Sequence, residues 1–446
     1  MAKKKIAARG GVSAAKVRAE EARHLMNTYK RPPMVFTHGR GCRVYDSDGR
    51  EYLDFLAGIA VNALGHAHPR LVRVIRREAG RAIHTSNLFH NPYQGPLAQK
   101  LARWSGLDRV FFTNSGTEAI DGALKLARGY ANAKAGGSGG SSSGSGETKK
   151  KMRFLALENS FHGRTFGAVS ITYPAKYREP FAPLVPGVEF VRFNDVADLE
   201  RKFDSSVCAL VIETIQGEGG IFPVSREFWQ RARELSTEND AMLIADEIQC
   251  GLGRTGRYFA YQALGALPDV VAIAKPLAGG LPLGAFIANE KFAAAFVPGM
   301  HGTTFGGGPL VSATALEFLT VVEEEKLLAN IRERGAELRA GIEKLAATFD
   351  FIREVRGEGL MLGVDLAVDG APFVAEALRS GLIINCTHDH ILRLLPPFII
   401  RRRDVAEFLR KFEAVLERGS KALEKSRSKS KATEMQAQPM AVAAAR

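Results

Sequence analysis

Three short apolar runs most constrain the fold of this chain: CALVIE ending at Glu213, AMLIAD ending at Asp246, and DVVAIA just before Lys275. Segments with helical spacing, such as REFWQRARELSTE, lie between them. Strands that are apolar on both faces belong to a sheet covered on both sides, and strands that alternate with helices pair in parallel. The pattern predicts an α/β protein with a mostly parallel central sheet. In such sheets a ligand sits beyond the carboxyl ends of the strands. Glu213, Asp246 and Lys275 all fall at or near such ends, so one sheet rim can collect two carboxylates and an amine.

The 446 residues are too many for one small core, and the 46% apolar and 24% charged composition is that of a globular protein. No apolar run approaches the length of a membrane-spanning helix. The formal charge of +13 raises the question of nucleic acid, but its location answers it. Residues 1–31 hold nine Lys/Arg against Glu20 and Glu21, a balance of +7, and residues 418–446 hold seven against Glu424 and Glu434, a balance of +5. The body between them is close to neutral. Charge confined to the chain ends, without a nucleic-acid motif, argues against that partner. The basic start is poor in Ser and lacks an amphipathic stripe, and the four scattered cysteines have no metal or disulfide spacing. A cytoplasmic address and no metal are expected. The Gly/Ser segment 136–148 reads as a flexible insert, and the basic tail 419–446 as disordered.

At Ser115 the sequence SGTEAIDGALKLARGYANAK begins a helix, with Ser115 and Glu118 spaced as a capping box. Ser115, Gly116 and Thr117 offer bare backbone and hydroxyls where a helix dipole is positive, which suits a phosphate; Ser115 could equally be a plain cap. Asp246 emerges from an apolar strand and needs a cationic partner, although strand-end aspartates often just cap the next element. Lys275, between AIA and PLAGGLPLGA, has little solvated company, and desolvation would make it a free, nucleophilic amine. Together these are the three handles that pyridoxal phosphate requires: a phosphate cradle, an anion for its ring nitrogen, and an amine. A rival motif, GLGRTG from Gly251 to Gly256 with Asp269 beyond it, matches a dinucleotide fingerprint but lacks strand, glycine turn and helix in immediate succession.

The segments FFTNSGTEA, FHGRTFGA, ETIQGEGG, LIADEIQCGLGRTG, AKPLAGGLPLGA, HGTTFGG, EVRGEGLMLGVDL and LRLLPP occur in the order seen in class III aminotransferases of fold type I, which this chain resembles from about Tyr29 to Glu417. FLAGIAVNALGHAHP and FHGRT are most similar to members that act on acetylornithine. The resemblance implies transfer of the δ-amino group of N2-acetyl-L-ornithine to 2-oxoglutarate, giving glutamate, by a homodimer with shared sites. Ornithine, succinyl-diaminopimelate and 4-aminobutyrate stand as alternative donors. It also implies a cofactor domain of residues 78–330, and a smaller α+β domain built from residues 32–77 and 331–418 after a basic arm, 1–31.

Residue by residue, the resemblance implies that Ser115, Gly116 and Thr117 hold the phosphate and that Phe161 stacks on the pyridine ring. Asp246 pairs with the ring nitrogen, Gln249 bonds the ring oxygen, and Lys275 is the Schiff-base lysine and proton shuttle. Thr304 reaches the phosphate from the partner subunit, with Thr303 near the substrate. Arg164 clamps the donor's α-carboxylate and Arg393 that of 2-oxoglutarate or glutamate, with Glu218 pairing Arg393 when no second carboxylate needs it. Pro276, Ala278 and Gly308 depart from residues frequent in the class, and none of them removes a cofactor handle.

Overall fold

The structure, a computed structural model, describes residues 13–135 and 151–443. The Gly/Ser insert 136–148 and the first twelve residues of the basic arm lie outside the described residues. The central sheet has seven strands: β1 (Arg109–Thr113), β2 (Arg153–Leu157), β3 (Val188–Val191), β4 (Val207–Glu213), β5 (Met242–Asp246), β6 (Val270–Ile273) and β7 (Gly284–Ala288). Their order across the sheet is β1-β7-β6-β5-β4-β2-β3. Only β7 runs against its neighbours; the remaining pairings are parallel.

Every residue of β4, β5 and β6 is buried, as strands covered on both faces require. Alternation along the strands sends side chains to two separate cores. Leu210, Ile212, Leu243, Ala245, Val271 and Ile273 join the core that contains Phe228 and Trp229 of the helix Arg226–Glu238. Ala209, Val211, Met242, Ile244, Val270 and Ala272 join the opposite core, under the helix Gly116–Lys134.

Register decides what meets at the rim. Glu213 pairs with Asp246 across β4 and β5, and Asp246 with Ala272 across β5 and β6. Both carboxylates therefore leave the sheet side by side, and Lys275 follows three residues past Ala272.

Beside a two-stranded ribbon, Ile215–Gln216 with Phe222–Pro223, two four-stranded sheets accompany this layer. Strands Phe36–Arg40, Arg43–Asp46 and Glu51–Asp54 are completed by Leu382–Ile383, so residues far apart in the chain share one sheet. Ile352–Glu358, Met361–Leu366, Ile391–Leu394 and Asn385–Thr387 form the other, which carries Arg393. The helix Ala14–His24 lies within the basic arm and buries none of its side chains.

Two local expectations change. Ser115 caps its helix and accepts from Glu118 N at 3.4 Å, but the capping box does not close on Ser115. Glu118 Oε2 instead reaches Asn114, where the backbone N–H and the side-chain amide donate at 2.7 and 2.9 Å. Two donors converging on one carboxylate oxygen outweigh the single donor that Ser115 offers. The tail expected to be disordered from residue 419 is helical over its described residues: one helix runs from Arg402 to Ala443. Its first turns pack through Val405, Phe408, Phe412, Val415 and Leu416.

Candidate active site

A cavity of about 410 Å³ opens at the carboxyl rim of the central sheet. Ser115, Gly116, Thr117, Phe161, Arg164, Glu218, Asp246, Gln249 and Lys275 all line it, together with His162 and Glu213.

One wall is the start of the helix Gly116–Lys134, where backbone N–H groups lack intrahelical partners and the dipole is positive. Close approach keeps this wall bare. A Cβ on Gly116 would lie 2.8 Å from Ile248 Cδ1, and one on Gly163 would collide with the Thr117 hydroxyl. That hydroxyl accepts from Arg164 N at 3.0 Å and Thr165 N at 3.1 Å, so it ties the FHGRT loop to the helix start.

The floor holds the amine and the carboxylates. Lys275 stands at φ 37°, in the left-handed region that side chains rarely adopt, where the strand gives way to a tight turn. Burial pushes its pKa below the ordinary lysine range. The charges of Asp246 and Glu218 pull it back up in part, and Arg393 opposes them. Asp246 is buried and takes a 2.7 Å bond from His162 Nδ1, while His162 Nε2 has no hydrogen-bond partner among the described residues. Burial, together with the neighbouring Asp246 charge, holds the Glu213 carboxyl above the usual range. Glu213 accepts from Phe161 N at 2.8 Å and Gly217 N at 2.9 Å, which fixes both loops that border the cavity.

The two arginines are held by opposite means: Arg164 lines the cavity, whereas Arg393 does not line it and is bonded to Glu218 and Gln249, which do. Arg393 is fully buried, 2.5 Å from Glu218 Oε1, with Nε donating to Asn385 Oδ1 at 3.1 Å. Gln249, expected to serve a ring oxygen, accepts from Arg393 at 3.3 Å. Its amide fits because residue 217 is glycine, where a Cβ would stand 2.5 Å from the Gln249 Cδ. Arg164 faces the cavity against the rings of Tyr177 and Phe161. Thr303 and Thr304 do not line this chain's cavity: Thr303 Oγ1 accepts from Asn114 Nδ2 at 3.1 Å, and Thr304 is exposed on the adjoining surface.

Sequence reasoning left His162 and Glu213 without a role in the site. Glu213 was visible at a strand end, and the His of FHGRT stood beside the residue chosen for stacking. Only the register that sets Glu213 against Asp246 makes either one informative.

A bare helix start, a buried carboxylate and a desolvated lysine on one sheet rim fit pyridoxal phosphate in charge and shape, and they define a fold-type I pyridoxal-phosphate enzyme. Ser115, Gly116 and Thr117 would hold its phosphate, Asp246 its ring nitrogen and Lys275 its aldehyde carbon. The chain belongs to the class III aminotransferases: the model of the family Aminotransferase class-III matches residues 25–416. It is 43% identical to an acetylornithine aminotransferase of Aquifex aeolicus, over 86% of this chain and 96% of that one. A relative of the same name from Methanocaldococcus jannaschii is 42% identical, over 89% and 96%. Among solved structures, the ornithine aminotransferase of Toxoplasma gondii aligns with a TM-score of 0.86 at 32% identity, covering 93% of this chain and 96% of that chain. The acetylornithine aminotransferase of Elizabethkingia anophelis aligns at 0.79 and 29%, covering 91% and 99%. The protein is a pyridoxal-phosphate-dependent transaminase.

Proposed function

We propose that this transaminase takes the δ-amino group of N2-acetyl-L-ornithine and passes it to 2-oxoglutarate, yielding N-acetylglutamate semialdehyde and glutamate, a step of arginine biosynthesis. The observation that carries the reading is the pair of unlike arginines: Arg164 without an acidic partner among the described residues, and Arg393 paired with Glu218. A donor with one carboxylate needs one open clamp. An acceptor with two needs a second, which opens when Glu218 yields. The curated relatives of that name, at 42–43% identity, support the same donor.

When bound, pyridoxal phosphate supplies an electron sink that stabilises negative charge at the amine-bearing carbon of the substrate, Cδ of acetylornithine and Cα of glutamate. The protein positions, shields and moves protons. Desolvation lowers the Lys275 pKa and so favours the form of Nζ that can take up a proton at the floor of the cavity. Asp246, oriented by His162, presents a fixed anion, and the helix start presents N–H donors to a phosphate. Arginine suits both clamps because its planar fork meets a carboxylate through two parallel bonds.

Thr303 and Thr304, outside their own chain's cavity and on the surface beside exposed Phe305, support a homodimer in which each subunit completes its partner's site. The sheet that joins residues 36–54 to 382–383 supports a small domain built from both chain ends around a cofactor domain of residues 78–330. The four unpaired cysteines support a cytoplasmic location, and among the described residues no helix is long and apolar enough to cross a membrane.

The test is steady-state kcat/KM across acetylornithine, ornithine, succinyl-diaminopimelate and 4-aminobutyrate. Acetylornithine should give the highest kcat/KM of the four. A lead for 4-aminobutyrate, which has no α-carboxylate, would overturn the assignment of Arg164.

A further inference from the structure

The Arg164 guanidinium carbon lies 3.7 Å from the centroid of the Tyr177 ring and 5.5 Å from that of Phe161. The two rings meet edge to face, 6.0 Å apart at 84°, so they form a corner with Arg164 against it. Tyr177 comes from the short helix Ala175–Arg178 and does not itself line the cavity. At 3.7 Å the cation is in direct contact with the ring face, where the negative quadrupole attracts it.

The contrast with Arg393 gives this corner its meaning. Glu218 holds Arg393 by its charge, so an incoming carboxylate must displace that partner. An aromatic face holds a guanidinium without neutralising it, because the cation sits over the ring while the N–H donors at its edge stay free. A long side chain with neither kind of partner would sample many rotamers and lose that entropy on each binding event.

We propose that Tyr177 is a positioning residue: its ring fixes the Arg164 fork toward the cavity and leaves this clamp permanently open, while the Arg393 clamp is gated. The inference rests on the reading of Arg164 as the clamp for the donor's α-carboxylate. The ring face is what matters, since the contact involves no hydrogen bond through the Tyr177 hydroxyl.

The experiment compares Tyr177→Phe and Tyr177→Leu in the holoenzyme, with acetylornithine and 2-oxoglutarate half-reactions followed separately. Leucine keeps apolar bulk and removes the π face; phenylalanine keeps both. Tyr177→Leu should lower kcat/KM for acetylornithine by about two- to fivefold, mostly through KM, and leave the 2-oxoglutarate value unchanged. Tyr177→Phe should match the wild type. Equal loss in both half-reactions, no loss in the leucine variant, or a phenylalanine variant as impaired as leucine would overturn the proposal. Arg164→Lys separates this from failure of the donor reading. If Arg164→Lys impairs the donor half-reaction and Tyr177→Leu does not, Tyr177 alone has been misread. If Arg164→Lys leaves the donor half-reaction intact, the clamp itself is elsewhere.

Discussion

The Glu218–Arg393 pair can be separated by one substitution, Glu218→Gln. Arg393 is fully buried and its NH1 lies 2.5 Å from Glu218 Oε1, with Asn385 and Gln249 as its other partners. A charge-assisted hydrogen bond of this kind is worth about 1.5–3 kcal/mol. The Glu218 side chain is 36% exposed, so solvent screening brings the working figure to about 1–2 kcal/mol. Glutamine keeps the size and an accepting oxygen but removes the charge. 2-Oxoglutarate then no longer has to displace a carboxylate, and its half-reaction should gain about five- to thirtyfold in kcat/KM. With a donor that brings only one carboxylate, Arg393 is left buried without an anion, and that half-reaction should lose a comparable factor. Single-turnover spectra report the two halves separately, because the cofactor's visible band falls in one and returns in the other. Weaker use of 2-oxoglutarate, or equal change in both halves, would refute the gating argument.

Lys275→Ala should abolish turnover with the fold retained, judged by circular dichroism and a melting curve; steady-state transamination in that variant would remove Lys275 from the mechanism. The same residue should leave a mark on stability. Its folded-state pKa is depressed, so the unfolded chain binds the proton more tightly and Lys275 destabilises the fold at neutral pH. That penalty should fade as pH rises toward the ordinary lysine value of about 10.4. Apoenzyme unfolding by denaturant should therefore show Lys275→Met more stable than the wild type near neutrality, with the difference shrinking at alkaline pH; a constant difference would mean no shift. Asp246→Asn should cost at least about a hundredfold in kcat, because a neutral amide offers no anion to a ring nitrogen, and activity within about threefold of wild type would make Asp246 structural. Arg164→Lys should impair reaction with acetylornithine, and Arg393→Lys reaction with 2-oxoglutarate, each by about ten- to a hundredfold, because lysine keeps the charge and loses the fork. Equal damage by both variants to both half-reactions would mean that the clamps are shared.

Local pattern alone made much of this protein legible. Apolar runs ending at Glu213 and Asp246 and stopping before Lys275 announced buried parallel strands with chemistry at their ends, because burial on both faces leaves no polar positions within the run. The helix at Ser115 was equally plain, since apolar spacing and an N-cap are written in adjacent residues. Tertiary structure decided everything that depends on register or on distant partners. Strand pairing set Glu213 beside Asp246, packing turned His162 onto Asp246, and Arg393 came to Glu218 from a different sheet. No local rule could tell that Glu118 would serve Asn114 rather than Ser115, or that the last helix would run on past its packed turns. Those outcomes depend on which competing partners the folded chain brings within reach, and a sequence read residue by residue carries no distances.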